Sequence, residues 1–188
     1  MPNIPAEFAY LLNQRGPAML MEAMKNMDVA EIVGPRHNPV ILGWAKEVNA
    51  PVGGWFTDDE KPWCGLFMAV CARRAGLEPP PGFDAVRALS WAAWGQPAQS
   101  ARLGYILVMP RHDARGAVIG GHVTMYVGEN QTHYFCLGGN QNNRVSIMPI
   151  AKARISSIRR PPYPLADAPN VKAYFVNAAS YGAGGSEA

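Results

Sequence analysis

Apolar positions recur at helical spacing in the first half of the chain and alternate with polar ones in the second. Residues 1–17, around Phe8, Tyr10, Leu11 and Leu12, read as a short helix or a loose arm. Over 18–33 (AMLMEAMKNMDVAEIV), Leu20, Met24, Met27 and Glu31 share a helical face while other apolar residues lie off it. That spacing predicts a helix packed on more than one side, ended by Gly34-Pro35. Asn38-Pro39 is an N-cap followed by a proline at the first helical position, and it starts a second helix through Ile41, Leu42, Trp44, Ala45 and Val48. Pro51 to Pro62 reads as a polar, turn-rich loop. A third helix follows over Trp63–Ala75 and stops at Gly76; after a rigid bend at Glu78–Gly82, residues 84–94 read as a fourth, capped by Asp84.

From Tyr105 the period changes to two. Tyr105–Met109, His122–Val127, His133–Leu137 and Arg144–Met148 are short strand-like runs between Gly- and Asn-rich turns, with Ile155–Ile158 as a further edge strand. Helices first and strands after predict an α+β layout rather than alternating βαβ units. The expected organisation is an arm at 1–17, one domain at 18–161 and a Pro-, Ala- and Gly-rich tail at 162–188 whose last residues are mobile.

Composition narrows the function classes. The chain of 188 residues is long enough to fold without a metal or disulfide staple, and its 19 glycines and 17 prolines argue against a helical bundle. The formal net charge of +3 comes without a Lys/Arg run, so no nucleic-acid partner is expected. Three irregularly spaced cysteines are neither a disulfide framework nor a zinc site. The N-terminus does not look like a signal peptide and no apolar stretch is long enough for a membrane span, so synthesis in the cytoplasm without stable membrane insertion is expected.

Three positions suggest chemistry. Cys64 opens a predicted helix, where the dipole and the unpaired N–H groups favour the thiolate and can hold an oxyanion. Cys71 and Cys136 read as packed residues. His122 opens a strand behind Gly120-Gly121, which leave one face of its ring accessible. If the following hairpin turns near Asn130, residue i faces 260 − i; His122 is then opposite Gly138, with Asn140 on the same face one step beyond. A carboxamide there can orient the imidazole, although a one-residue slip would bring Gly139 or Gln141 to that place. His133 reads as exposed. Asp58, Asp59 and Glu60 read as helix-dipole complements with one residue orienting the site, not as a metal cluster. Cys64 also has a plain packing explanation. Trp55, Trp63, Trp91 and Trp94 are more tryptophans than a small core needs; most read as core, but one or two near Cys64 can wall a substrate groove. Trp63, Trp91, Glu60 and Gln141 are the substrate-contacting candidates.

Cys on a helix, then His on a strand, then a polar residue on the next strand is the papain-type order. The ordered set Glu31-Ile32-Val33-Gly34-Pro35, His37-Asn38-Pro39, Trp44, Asp59-Glu60, Pro62-Trp63-Cys64-Gly65, Ala75-Gly76-Leu77, Ser90-Trp91, Trp94-Gly95, Gly121-His122-Val123, Tyr126-Val127-Gly128 and Leu137-Gly138-Gly139-Asn140-Gln141 resembles a family of small phage and prophage proteins similar to the CHAP and NlpC/P60 cysteine peptidases. The resemblance spans about residues 28–161. It implies a papain-like fold, Cys64 as nucleophile, His122 as base, and Asn140 as the third member, with Gln141 or His133 as alternatives. It also implies a peptidoglycan hydrolase without a metal or cofactor: an endopeptidase or an N-acetylmuramoyl-L-alanine amidase. Such a protein acts as a monomer on the cell wall after release through a holin or delivery by a phage tail. A toxin or effector that hydrolyses or deamidates a protein amide, and a non-enzymatic phage structural or wall-binding module, are the competing readings.

Overall fold

In the computed structural model, which describes residues 3–177, helices occupy the first half of the chain and an antiparallel sheet the second, an α+β arrangement. The helices are α1 (Ala18–Met24), α2 (Pro39–Val48), α3 (Ala50–Trp55) and α4 (Cys64–Arg74). The strands are β1 (Gln96–Pro97), β2 (Ile106–His112), β3 (Val118–Glu129), β4 (His133–Gly138), β5 (Ser146–Ala151) and β6 (Ser157–Arg160), in the order β1-β6-β2-β3-β4-β5.

Helix α4 is the central helix. Every residue from Cys64 to Ala72 is buried, because α1 and α2 pack on it from one side and β3 and β4 from the other. It ends where expected, with Gly76 at φ +75°. Alternation divides the sheet residues between two cores. Ile106, Val108, Val123, Met125, Val127, Phe135 and Leu137 join the large core with the helices, while Leu107, Met109, Tyr126, Cys136 and Ile150 form a smaller cluster on the other face.

Several elements differ from the expectation. The N-terminal segment is a 3-10 helix at Ala6–Asn13, and it is no loose arm: Phe8 and Leu11 are fully buried, with the Phe8 ring against Phe135 at 5.4 Å. The helix expected over 18–33 stops at Met24. Beyond it the backbone bonds outward instead: Asp28 N–H donates to Val145 O (3.0 Å), Glu31 N–H to Asn143 O (2.9 Å), and Val29 O accepts from Val145 N–H (2.8 Å). Part of the expected loop 51–62 is α3, whose start is capped by Asn49 Oδ1 accepting from Val52 N–H at 2.8 Å. Residues 84–94 form no α-helix but two 3-10 segments, Gly82–Ala85 and Ala88–Ala93. Asp84, expected as a helix cap, accepts from Ser90 Oγ at 3.0 Å. The Asn38 cap is as expected, its Oδ1 accepting from Val40 N–H at 2.8 Å. Of the expected tail, residues 178–188 lie outside the described part; before them, Phe175 bridges Glu129 beside β3.

Candidate active site

Cys64 is the first residue of α4, and His122 lies in β3, which packs against that helix. The His122 imidazole acts on the Cys64 thiol. Burial alone would push the Cys64 thiol up. The hydrogen bond and charge of His122, together with the backbone N–H groups of Val123 and Gly65, outweigh it and bring the thiol below the usual thiol range. Burial dominates at Cys71, which has no such partner, and holds its thiol well above that range. Cys64 and His122 are 3% and 1% exposed.

The third position requires a correction. His122 Nε2 bonds Gln141 Oε1 at 3.1 Å, not Asn140. Gln141 is itself held at both ends of its amide. Its Nε2 donates to Ser146 O (2.6 Å) and Cys136 O (3.2 Å), so its oxygen is the atom turned to the ring. Since an amide oxygen can only accept, His122 carries its proton on Nε2, which leaves Nδ1 as the basic atom of the neutral ring. Thr124 Oγ1 donates to Leu137 O (2.8 Å) and lies 3.3 Å from Gln141 Oε1.

Two causes move the contact from residue 140 to 141. The β3–β4 register is Met125↔Leu137 and Tyr126↔Cys136, changing at a bulge to Gly128↔Phe135. The partner sum is thus 262 next to the site rather than 260, a shift of two that preserves the face. The chain then leaves the strand at Gly138, and Asn140 adopts a left-handed backbone (φ +56°). That turn carries the Asn140 side chain toward the start of α4. In the orientation that satisfies both ends of its amide, Nδ2 donates to Glu31 Oε1 (3.1 Å) and Oδ1 accepts from Trp63 N–H (3.3 Å). Gly138 and Gly139 make room for this turn. A Cβ on Gly138 would lie 2.6 Å from Thr124 Oγ1 and 2.9 Å from Gln141 Oε1; one on Gly139 would lie 2.6 Å from Phe67 Cβ.

Among the substrate-contacting candidates, Trp63, Trp91 and Gln141 are fully buried, so none presents a surface to a ligand. Trp63 packs on Trp44 at 5.9 Å and donates its indole N–H to Glu31 Oε1 at 2.7 Å; Trp91 donates to Ala85 O at 3.1 Å. Glu60 is exposed. His133 sits at the far end of β4, opposite Ala151, and its Nδ1 contacts Thr132 Oγ1 at 2.8 Å.

Asp59 is buried and holds the segment before α2. It accepts from Asn38 N–H (2.8 Å), Ile32 N–H (3.2 Å) and the His37 ring (2.9 Å). Burial favours its neutral form, but these donors prevail and keep the carboxyl below the usual carboxylate range. Glu31, which the chemistry of the sequence did not single out, is raised by burial and by repulsion from Asp59 and Glu60, against the Trp63 indole. The signal for this cluster was the pair Gly138-Gly139 followed by two amides, a place where side chains are removed so that polar groups can be buried.

Among the described residues, no group of three or more His, Cys, Asp or Glu is placed to hold a metal ion, and no helix is long and apolar enough to cross a membrane. Compared with protein-family models, curated proteins and solved structures, the chain matches none.

Proposed function

We propose that the protein is a cysteine amide hydrolase of papain-like architecture that acts on bacterial peptidoglycan, in the manner of a phage or prophage endolysin. The observation that carries the catalytic reading is the meeting of Cys64, at the head of α4, with a His122 ring on β3 that Gln141 orients, the thiol lying below its usual range despite burial. The choice of peptidoglycan rests on the resemblance to CHAP and NlpC/P60 proteins in the residues from Glu31 to Gln141.

The Cys64 thiolate attacks the amide carbonyl carbon, and N–H groups at the start of α4 stabilise the oxyanion. His122, holding the thiol proton on Nδ1, passes it to the leaving nitrogen as the C–N bond breaks. Water, deprotonated by His122, then hydrolyses the thioester, releasing a carboxylic acid and restoring the thiol. Gln141 is a positioning residue that keeps the ring in the tautomer this sequence of proton transfers needs. The substrate is the cell wall, reached after release from the cytoplasm, with the protein acting as a monomer.

Purified peptidoglycan incubated with wild type and with Cys64→Ala tests this. Release of new amino and carboxyl groups by wild type alone is expected. Equal release by both overturns the mechanism. Release from a protein amide but not from peptidoglycan makes the protein an effector-type amidase or deamidase. The small exposure of Cys64 is what a packed, non-enzymatic residue would also show. Alkylation by iodoacetamide at pH 6–7 no faster than that of a free thiol supports that structural role.

A further inference from the structure

The hairpin that joins β2 to β3 leaves the cover of the helices. Along β3 every residue from His122 to Gly128 is buried, whereas every residue from Ala114 to Ile119 is exposed. Val118 is 55% and Ile119 66% exposed, and among the described residues they are the only large exposed apolar side chains adjacent in sequence. Ile119 is the extra residue of a bulge, since Arg111 pairs with Gly120 and His112 with Val118.

The turn is closed by its own groups. Asp113 Oδ1 accepts from the N–H of Arg115 (2.8 Å) and of Ala117 (2.9 Å). Asp113 N–H donates to Ala117 O (2.9 Å), and Gly116 N–H to Asp113 O (3.0 Å). These four N–H groups need no water, so the tip can enter a less polar medium without stripping them of partners. The charges around the apolar pair are mostly positive. Arg115 is exposed at the tip, Arg111 stands on the strand opposite, and Arg154 lines the same hollow as Arg111 and Ile119. The hairpin's acid, Asp113, is the residue that ties the turn.

We propose that this hairpin docks the protein on an anionic phospholipid surface. Val118 and Ile119 enter the boundary between headgroups and acyl chains, and the arginines meet the lipid phosphates. Removing two aliphatic side chains from water supplies the apolar part of the attraction. Guanidinium groups on flexible stems can stay at the phosphate level while the neighbouring residues go deeper, and the negative potential of the surface favours them. A protein partner would need a groove shaped to a protruding tip, whereas a bilayer surface needs no such match. With so little apolar surface the docking is peripheral and reversible. The inference does not depend on the amide-hydrolase reading: the hairpin shares β3 with His122 but contributes no group to the chemistry at Cys64.

Flotation of the full-length protein with vesicles tests this. Binding to vesicles of phosphatidylglycerol and phosphatidylethanolamine is expected, with none to phosphatidylcholine vesicles and a decline as sodium chloride is raised. Val118→Ser with Ile119→Ser is expected to weaken binding about tenfold or more, and Arg115→Gln about fivefold. Both variants change exposed side chains, so thermal unfolding and the alkylation rate of Cys64 are expected to stay at wild-type values. Val118→Trp gives an independent readout: its added fluorescence is expected to shift to shorter wavelength and to be quenched by brominated acyl chains only with anionic vesicles. The proposal is overturned if neither kind of vesicle binds. It is equally overturned if binding survives the double serine variant undiminished, or if the added tryptophan is not quenched, since the tip then stays in water. A dimer in sedimentation equilibrium that the double variant dissociates, without vesicle binding, makes the hairpin a contact between copies of this chain and also overturns it.

Discussion

Gln141 Oε1 accepts from His122 Nε2 at 3.1 Å, and the same amide donates through its nitrogen to Ser146 O and Cys136 O. A neutral group therefore orients the imidazole, and its own orientation is set by the backbone of β4 and β5. Gln141→Ala is expected to lower kcat about 100-fold by freeing the ring, with KM little changed. Gln141→Glu is expected to restore part of the rate and to shift the pH profile upward, because a carboxylate favours the imidazolium where a carboxamide does not. A loss of activity in proportion to the loss of folded protein would instead mark Gln141 as structural. The pH–rate profile of the two variants separates these outcomes.

Cys64 is predicted to react as a thiolate below the range in which ordinary thiols, with pKa about 8.5, ionise. The sign follows from the balance at the sulfur, where burial raises the thiol and His122 with two N–H groups lowers it further than burial lifts it. In His122→Ala the principal lowering influence is gone and burial prevails. The midpoint of alkylation by iodoacetamide is therefore expected to move up, above that of a free thiol. A midpoint unmoved by His122→Ala would show that the imidazole does not control the sulfur.

Asn140→Ala is expected to act through the fold rather than through the ring. It removes the contacts to Glu31 and to the Trp63 N–H, and it places alanine in a left-handed backbone conformation. A loss of about 2 kcal/mol in urea unfolding is expected. At equal folded concentration, its pH–rate profile is expected to keep the wild-type midpoints, unlike that of Gln141→Glu.

Gly139→Ala is expected to be more disruptive than its size suggests. The new Cβ would meet Phe67 Cβ at 2.6 Å and Trp63 Cζ3 at 2.7 Å, two side chains one turn apart at the start of α4. A destabilisation of about 1–3 kcal/mol is expected from this overpacking. Thermal unfolding checks it.

Asp59 stabilises the fold as a carboxylate. Its folded-state pKa lies below the unfolded value, so its contribution is fully present above about pH 4 and is lost as pH falls through the lower, folded-state value. Asp59→Asn is expected to cost about 3 kcal/mol near neutral pH, since three donors lose an anionic acceptor. The difference between variant and wild type should shrink as urea unfolding is repeated at lower pH.

Local chemistry along the chain was enough to place the thiol at the head of a helix, because proline, tryptophan and glycine around Cys64 and Gly76 mark both ends of α4. It also placed His122 on a strand, since the alternation through β3 is regular, and it separated helices from sheet. The helix from residue 18 was overextended because its termination comes from hydrogen bonds to residues 143–145, which no local pattern reveals. Trp63 and Trp91 are buried for a related reason: an indole in a sequence carries no sign of whether a sheet will cover it, and among the described tryptophans it is Trp55 that is left largely exposed. The residue that meets His122 was decided only in three dimensions. Register and face are periodic and can be counted, but the left-handed turn at Asn140 breaks the count, and its side chain goes to Trp63 while Gln141 reaches the imidazole. That exchange depends on space left by Gly138 and Gly139 between β4, Thr124 and Phe67, and such space exists only once the helix has packed on the sheet.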